Sequence, residues 1–173
     1  MSWFLPADER IETERLALDP LTVDDAAEMV PVLADPALYT VIGGTPPTLT
    51  VLRERYRQLA VGHSQDGSEQ WLNWIVRLGG DQATAVGTVQ ATILPPGTGA
   101  EVAWVIGTGW QGRGLGSEAA AAMVGWLGQA GVRSVVAHIH PDHRASRAVA
   151  GRAGLAPTDQ FVDGEQRWVS PAG

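Results

Sequence analysis

The chain has 173 residues, a net charge of −7 and no cysteine, and all twelve of its basic residues are arginine. Its length suits one domain, residues 1–173, able to bury roughly 70% of its extended-chain surface, and the missing thiols exclude disulfides, thiolate metal sites and a cysteine nucleophile. The acidic balance argues against nucleic acid as a partner; four histidines without HxxxH spacing give no metal site; and the lack of a signal-like start or a membrane-length apolar run predicts a cytoplasmic protein that does not engage a membrane.

Taken in chain order, "IETERLALDP" (11–20) alternates apolar and polar residues and stops at Pro20, predicting a strand. "LTVDDAAEMVPVLAD" follows as a helix, with Thr22 as N-cap, Asp25 in the capping-box position and Pro31 as a kink or stop. "GGTPP" (43–47) breaks the chain before a second amphipathic helix, "TLTVLRERYRQLAVGH". The period then changes to two. "QWLNWIVRL" and "ATAVGTVQATIL" read as strands joined by the turn "GGDQ", and "PPGTG" turns into "AEVAWVI". "SEAAAAMVGWLGQAG" is a helix ended by Gly131, "RSVVAHIH" a strand closed by Pro141, and "DHRASRAVAGRAG" a helix capped by Gly154. Asp163-Gly164 marks a hairpin in the tail. The order β-α-α-β-β-β-α-β-α-β-β predicts an α/β domain with a mixed sheet.

Five glycines fall between Gly107 and Gly116, at the mouth of the third helix. "GTGWQG" satisfies the dinucleotide fingerprint, but that motif belongs early in a chain, with an acid about 20 residues later at the end of the next strand. Here it lies late and the next strand ends in "HIH", so a nicotinamide oxidoreductase is the weaker reading. In the better phase, "QGRGLG" runs from Gln111 to Gly116 and into a helix starting near Ser117. First-turn amides have no partner inside a helix, and the macrodipole places positive potential there. Gly112, Gly114 and Gly116 let a diphosphate approach that backbone, and Arg113 adds a cation.

"QGRGLG" fits the Q/R-x-x-G-x-G/A signature of the GNAT acetyltransferase superfamily, which the chain resembles over residues 11–168. "ETERLALDPLTVDDA" is similar to the branch that contains ribosomal-protein N-terminal alanine acetyltransferases and many small-amine relatives. The resemblance implies a mostly antiparallel sheet, flanked by helices, whose central strands splay apart. It also implies acetyl-CoA as cofactor, its phosphates bound at Gln111, Gly112, Arg113, Gly114, Leu115, Gly116 and Ser117. The pantetheine arm would pair as a pseudo-strand with the backbone of Trp104, Val105 and Ile106, and a strand N–H there would bond the thioester carbonyl.

With no cysteine, direct attack by an amine is the simplest route. Deprotonation at pH 7 costs about 1.4 kcal/mol for an α-amine and about 4.6 kcal/mol for a lysine-like amine. The expected acceptor is a primary amine, a peptide α-amine or a small cationic metabolite. Candidate bases are Glu101, which opens its strand, and His140, which shares a strand face with His138 and lies nearer the gap. His143 stands where the family has asparagine at the start of the fourth helix, in the cofactor-binding set. Ser146 matches a serine proposed in the N-terminal acetyltransferase branch to protonate the departing thiolate, with a cap of the fourth helix as its alternative role, and the tyrosine of other branches is absent near Ala150. Those departures keep open a non-catalytic acyl-CoA sensor. The acceptor pocket is expected from the N-terminal helices and the tail hairpin, with Trp110 or Trp168 as exposed tryptophans lining it or a subunit contact; a homodimer stays an open alternative.

Overall fold

A computed structural model describes residues 3–79, 83–96 and 98–171. One sheet runs through the molecule in the order β1-β2-β3-β4-β5-β6-β8-β7. Its strands are β1 (Ile11–Glu12), β2 (Leu16–Pro20), β3 (Gln70–Leu78), β4 (Thr84–Ile93), β5 (Ala100–Ile106), β6 (Val135–Ile139), β7 (Ala156–Val162) and β8 (Glu165–Val169). All neighbours are antiparallel except β5 and β6. The helices are α1 (Ala26–Val32), α2 (Leu49–Val61), α3 (Leu115–Gln129) and α4 (Arg144–Arg152). The predicted α/β class and mixed sheet hold.

Alternation along β3 divides the core between the two faces. Leu72, Trp74 and Val76 join the cluster that contains α3 and Ala150 of α4, whereas Ile75 joins Met29 of α1 and Leu52 of α2. Arg77 ties the second cluster to the edge of the sheet: its guanidinium reaches Asp19 at 3.2 Å, Asp25 at 2.9 Å and Glu28 at 2.9 Å.

Three expectations change. The segment 11–20 is two short strands folded on each other, Ile11 opposite Leu18, because the Thr13 side chain accepts from Leu16 N–H at 3.0 Å and closes a turn. The first helix opens with a 3₁₀ turn, Val23–Asp25, in which Asp25 accepts from Thr22 N–H at 2.7 Å, and α1 ends one residue after Pro31. Helix α3 begins at Leu115, two residues before Ser117, and runs through Gly125 and Gly128 to Gln129. Its end is marked by Gly131 at φ 95°, as the tail hairpin is by Asp163 and Gly164 at φ 51° and 82°. Of the two central turns, residues 80–82 of "GGDQ" and Gly97 of "PPGTG" lie outside the described residues.

Candidate active site

Strand β5 pairs with β4 along its whole length, from Ala100 opposite Ile93 to Ile106 opposite Gly87. With β6 it pairs only at Ala100 and Glu101. Beyond Glu101 the two strands separate, and a cleft of about 660 Å³ opens between them. Two bonds fix which backbone groups face it. Ala100 N–H donates to Ser134 O at 2.9 Å on the β6 side, and Gly107 N–H donates to Val86 O at 2.8 Å on the β4 side. By alternation, the amides and carbonyls of Val102, Trp104 and Ile106 point into the gap, and those of Val105 point to β4. Of the three residues expected to offer backbone to a pseudo-strand, Trp104 and Ile106 are oriented for it; Val105 lines the cleft with its side chain instead. The Ile106 carbonyl is occupied, accepting from Gln111 Nε2 at 2.9 Å. Gly87 permits the close packing behind this strand, since a Cβ there would lie 2.1 Å from the Val105 carbonyl oxygen.

The glycine loop borders the same cleft. Gly112 and Gly114 have φ of 79° and 78°, the left-handed region that favours glycine. Glu118 N–H makes the first helical bond, to Gly114 O at 3.0 Å, so the amides of Leu115, Gly116 and Ser117 precede the helical ladder. A Cβ on Gly116 would stand 3.3 Å from both Ile106 and Val149, so this glycine seats the helix start against β5 and α4. The Arg113 side chain is exposed and forms no ion pair among the described residues. Ser117 Oγ accepts from Arg152 at 3.4 Å. This arrangement of free amides, bare backbone and an open strand edge fits a diphosphate joined to an amide-bearing arm.

The candidate catalytic side chains divide into two groups. Glu101 sits at the last paired register, where the gap begins, and its Oε1 lies 3.0 Å from His138 Nδ1. The sequence placed His138 on the same face as His140 but gave no sign of this contact. His140 lies just past β6, with Nδ1 accepting from Asp142 N–H at 3.1 Å. On the far wall, His143 is the N-cap of α4: its Nδ1 accepts from Ser146 N–H at 3.2 Å, and Ser146 Oγ lies 3.4 Å from its Nε2. Ser146 itself is not the cap. Glu101, His138, His140, His143 and Ser146 all line the cleft.

Leu38 and Ile42 of the N-terminal segment and Glu165 of the tail hairpin also line the cleft. The short 3₁₀ turn Pro36–Tyr39 is held there by Asp35, which accepts from Thr108 Oγ1 at 2.7 Å and from Ala37 N–H at 2.9 Å. Trp110 lines the cleft as a partly buried residue. Trp168 does not fit the expectation of an exposed tryptophan: it is 6% exposed, packed in the core, because β8 lies inside the sheet between β6 and β7. No helix among the described residues is long and apolar enough to cross a membrane.

A family model described as an acetyltransferase (GNAT) domain matches residues 15–156. Among solved structures, an acetyltransferase from Thermus thermophilus shares 25% identity at a TM-score of 0.73, covering 94% of this chain and 99% of that one. A proposed ribosomal-protein-serine acetyltransferase from Vibrio cholerae shares 20% identity at 0.74, covering 95% and 98%. The microcin C7 self-immunity acetyltransferase MccE, solved with acetyl-CoA and AMP, shares 15% identity at 0.74, covering 91% and 93%. No curated protein sequence matches this one. The opened strand pair, the glycine-lined helix mouth beside it and a family match over most of the chain have one reading: the chain belongs to the GNAT acetyltransferase family and is an acyltransferase that uses acetyl-CoA.

Proposed function

We propose that the enzyme acetylates a primary amine by direct attack, with donor and acceptor held together in the cleft between β5 and β6. The observation that carries this reading is the loss of β5–β6 pairing immediately after Glu101, next to the free amides of the α3 start. The amides of 112–117 and the Arg113 side chain hold the diphosphate of acetyl-CoA, and Trp104 and Ile106 present backbone groups to its arm. Acetyl-CoA supplies the activated thioester. The Trp104 N–H, directed into the gap, donates to the thioester carbonyl as negative charge grows on it.

An attacking amine must lose a proton. Glu101 and His138 take it as a pair, sharing it across their 3.0 Å contact. His140, tied to the Asp142 backbone, holds the outer edge of the same wall. At the other side, Ser146 gives a proton to the departing thiolate. A thiol pKa of about 8.5 keeps the demand on that step small, in keeping with Ala150 standing where other branches have tyrosine.

The acceptor is a peptide α-amine or a small cationic amine. Glu101 and Glu165 put two carboxylates on the lining of the cleft, and the net charge of −7 favours a cationic partner. The segment "ETERLALDPLTVDDA" and the likeness to the Vibrio cholerae protein support the ribosomal-protein N-terminal acetyltransferase branch. A cysteine-free chain also suits a reducing cytoplasm. The test is a panel of N-terminal peptides and small amines incubated with acetyl-CoA, with products detected by mass. Acetylated product from at least one class is expected; thiol release no faster with any acceptor than without one refutes the proposal.

A further inference from the structure

Helix α3 carries an acid, Glu118, in the turn that faces the proposed diphosphate site. A carboxylate there suits the helix macrodipole, but as a free charge it would repel an anion bound at the same amides. It is not free. Thr13 Oγ1 donates to its Oε2 at 2.5 Å, Arg15 N–H to the same oxygen at 3.1 Å, and Arg15 Nε to Oε1 at 2.8 Å. The same guanidinium continues into the glycine loop. Its Nη1 donates to the Arg113 carbonyl at 2.9 Å, and its Nη2 lies 3.5 Å from where a Cβ on Gly114 would stand. These partners are about a hundred residues apart in sequence, and the β1–β2 turn brings them together.

We infer that Thr13 and Arg15 are positioning residues for acetyl-CoA: they cancel the Glu118 charge and fix the Arg113–Gly114 peptide, so that the loop amides meet the diphosphate unopposed. The inference rests on the assignment of residues 111–117 to that diphosphate. Burial alone would raise the Glu118 carboxyl, but hydrogen bonds from Thr13 and Arg15 prevail and hold it below the usual carboxylate range, so the acid stays ionised and needs its counter-charge. Only a forked cation serves both ends, since one arm takes the acid and another takes the loop carbonyl.

Acetyl-CoA affinity by calorimetry, with KM and kcat, tests this in four variants. Arg15→Ala is expected to raise Kd and KM for acetyl-CoA about tenfold, the scale of a partly buried helix-end charge, with kcat at saturating donor within about twofold of the parent. Arg15→Lys restores part of the loss. Adding Glu118→Gln to Arg15→Ala also restores affinity, because it removes the uncancelled charge; a merely structural tie would leave the double variant as weak as the single one. Thr13→Val removes one hydroxyl and serves if Arg15→Ala does not fold; its KM is expected to rise about threefold, less than the full worth of one charge-assisted hydrogen bond because Arg15 still holds the acid. Unchanged affinity in the folded variants, or no recovery in the double variant, overturns the inference. A parent enzyme that does not bind acetyl-CoA at all overturns the loop assignment instead.

Discussion

Gly114→Val separates the chemistry of the glycine loop from its backbone geometry. Gly114 has φ 78°, where an L-residue costs about 1–2 kcal/mol, with a β-branched one at the upper end. A domain of this size loses roughly 2–4 °C of melting temperature per kcal/mol, so a fall of about 4–8 °C is expected. The new Cβ meets no backbone, only the end of Arg15 at 3.5 Å, so the fold survives. The γ-carbons add bulk to a residue that lines the cleft, which is expected to hold a diphosphate away from the amides of 115–117. Two lost helix-end contacts at about 0.3–2 kcal/mol each weaken acetyl-CoA binding by about fiftyfold at the middle of that range. Gly131→Val is the control: its φ is 95°, nothing lies within 4 Å of a Cβ there, and it stands at the opposite end of α3. It should lower the melting temperature by a similar amount and leave acetyl-CoA affinity unchanged. Calorimetry on both variants decides the matter, and equal affinity in Gly114→Val and the parent refutes the phosphate role of the loop.

Glu101→Gln is expected to slow turnover by roughly a hundredfold at neutral pH, and more for lysine-like acceptors than for α-amines, because their deprotonation costs about 3 kcal/mol more; an unaltered pH–rate profile would make Glu101 structural. His143→Ala should remove the cap of α4 and cost about 1 kcal/mol, read as a small fall in melting temperature, while His143→Asn keeps an acceptor for Ser146 N–H and restores stability; equal losses in both would refute the cap. The Glu28 and Glu118 carboxyls lie below their ordinary value of 4.5, burial being outweighed by hydrogen bonds from Arg77 and Ala85 in one case and from Thr13 and Arg15 in the other. Their contribution to stability is therefore complete above the unfolded-state pKa and is lost as pH falls through the lower folded values. Denaturant midpoints between about pH 6 and 3 should fall on acidification, and less steeply in Arg77→Ala; a slope unaffected by that substitution would show the cluster to be irrelevant.

Periodicity and punctuation carried most of the fold. The alternation of "QWLNWIVRL", the glycine stops at 131 and 154 and the Asp-Gly turn are local effects of backbone sterics and side-chain pattern, so they were legible one segment at a time. The glycine loop was legible for the same reason, since left-handed φ at Gly112 and Gly114 is a property of those residues and their immediate neighbours. Trp168 was misjudged because its exposure depends on β8 lying between β6 and β7, a choice of strand order that no local pattern encodes.

What only the tertiary structure decided are the contacts between distant segments. Where β5 and β6 part, which alternate amides then face the gap, the meeting of Glu101 with His138, and the grip of Thr13 and Arg15 on Glu118 all depend on register and on the docking of elements far apart in the chain. A strand edge becomes a binding surface only when its neighbour leaves it. Local sequence specifies that a strand forms, whereas where the sheet opens is visible only in the pairing of β5 with β6, which stops after Glu101.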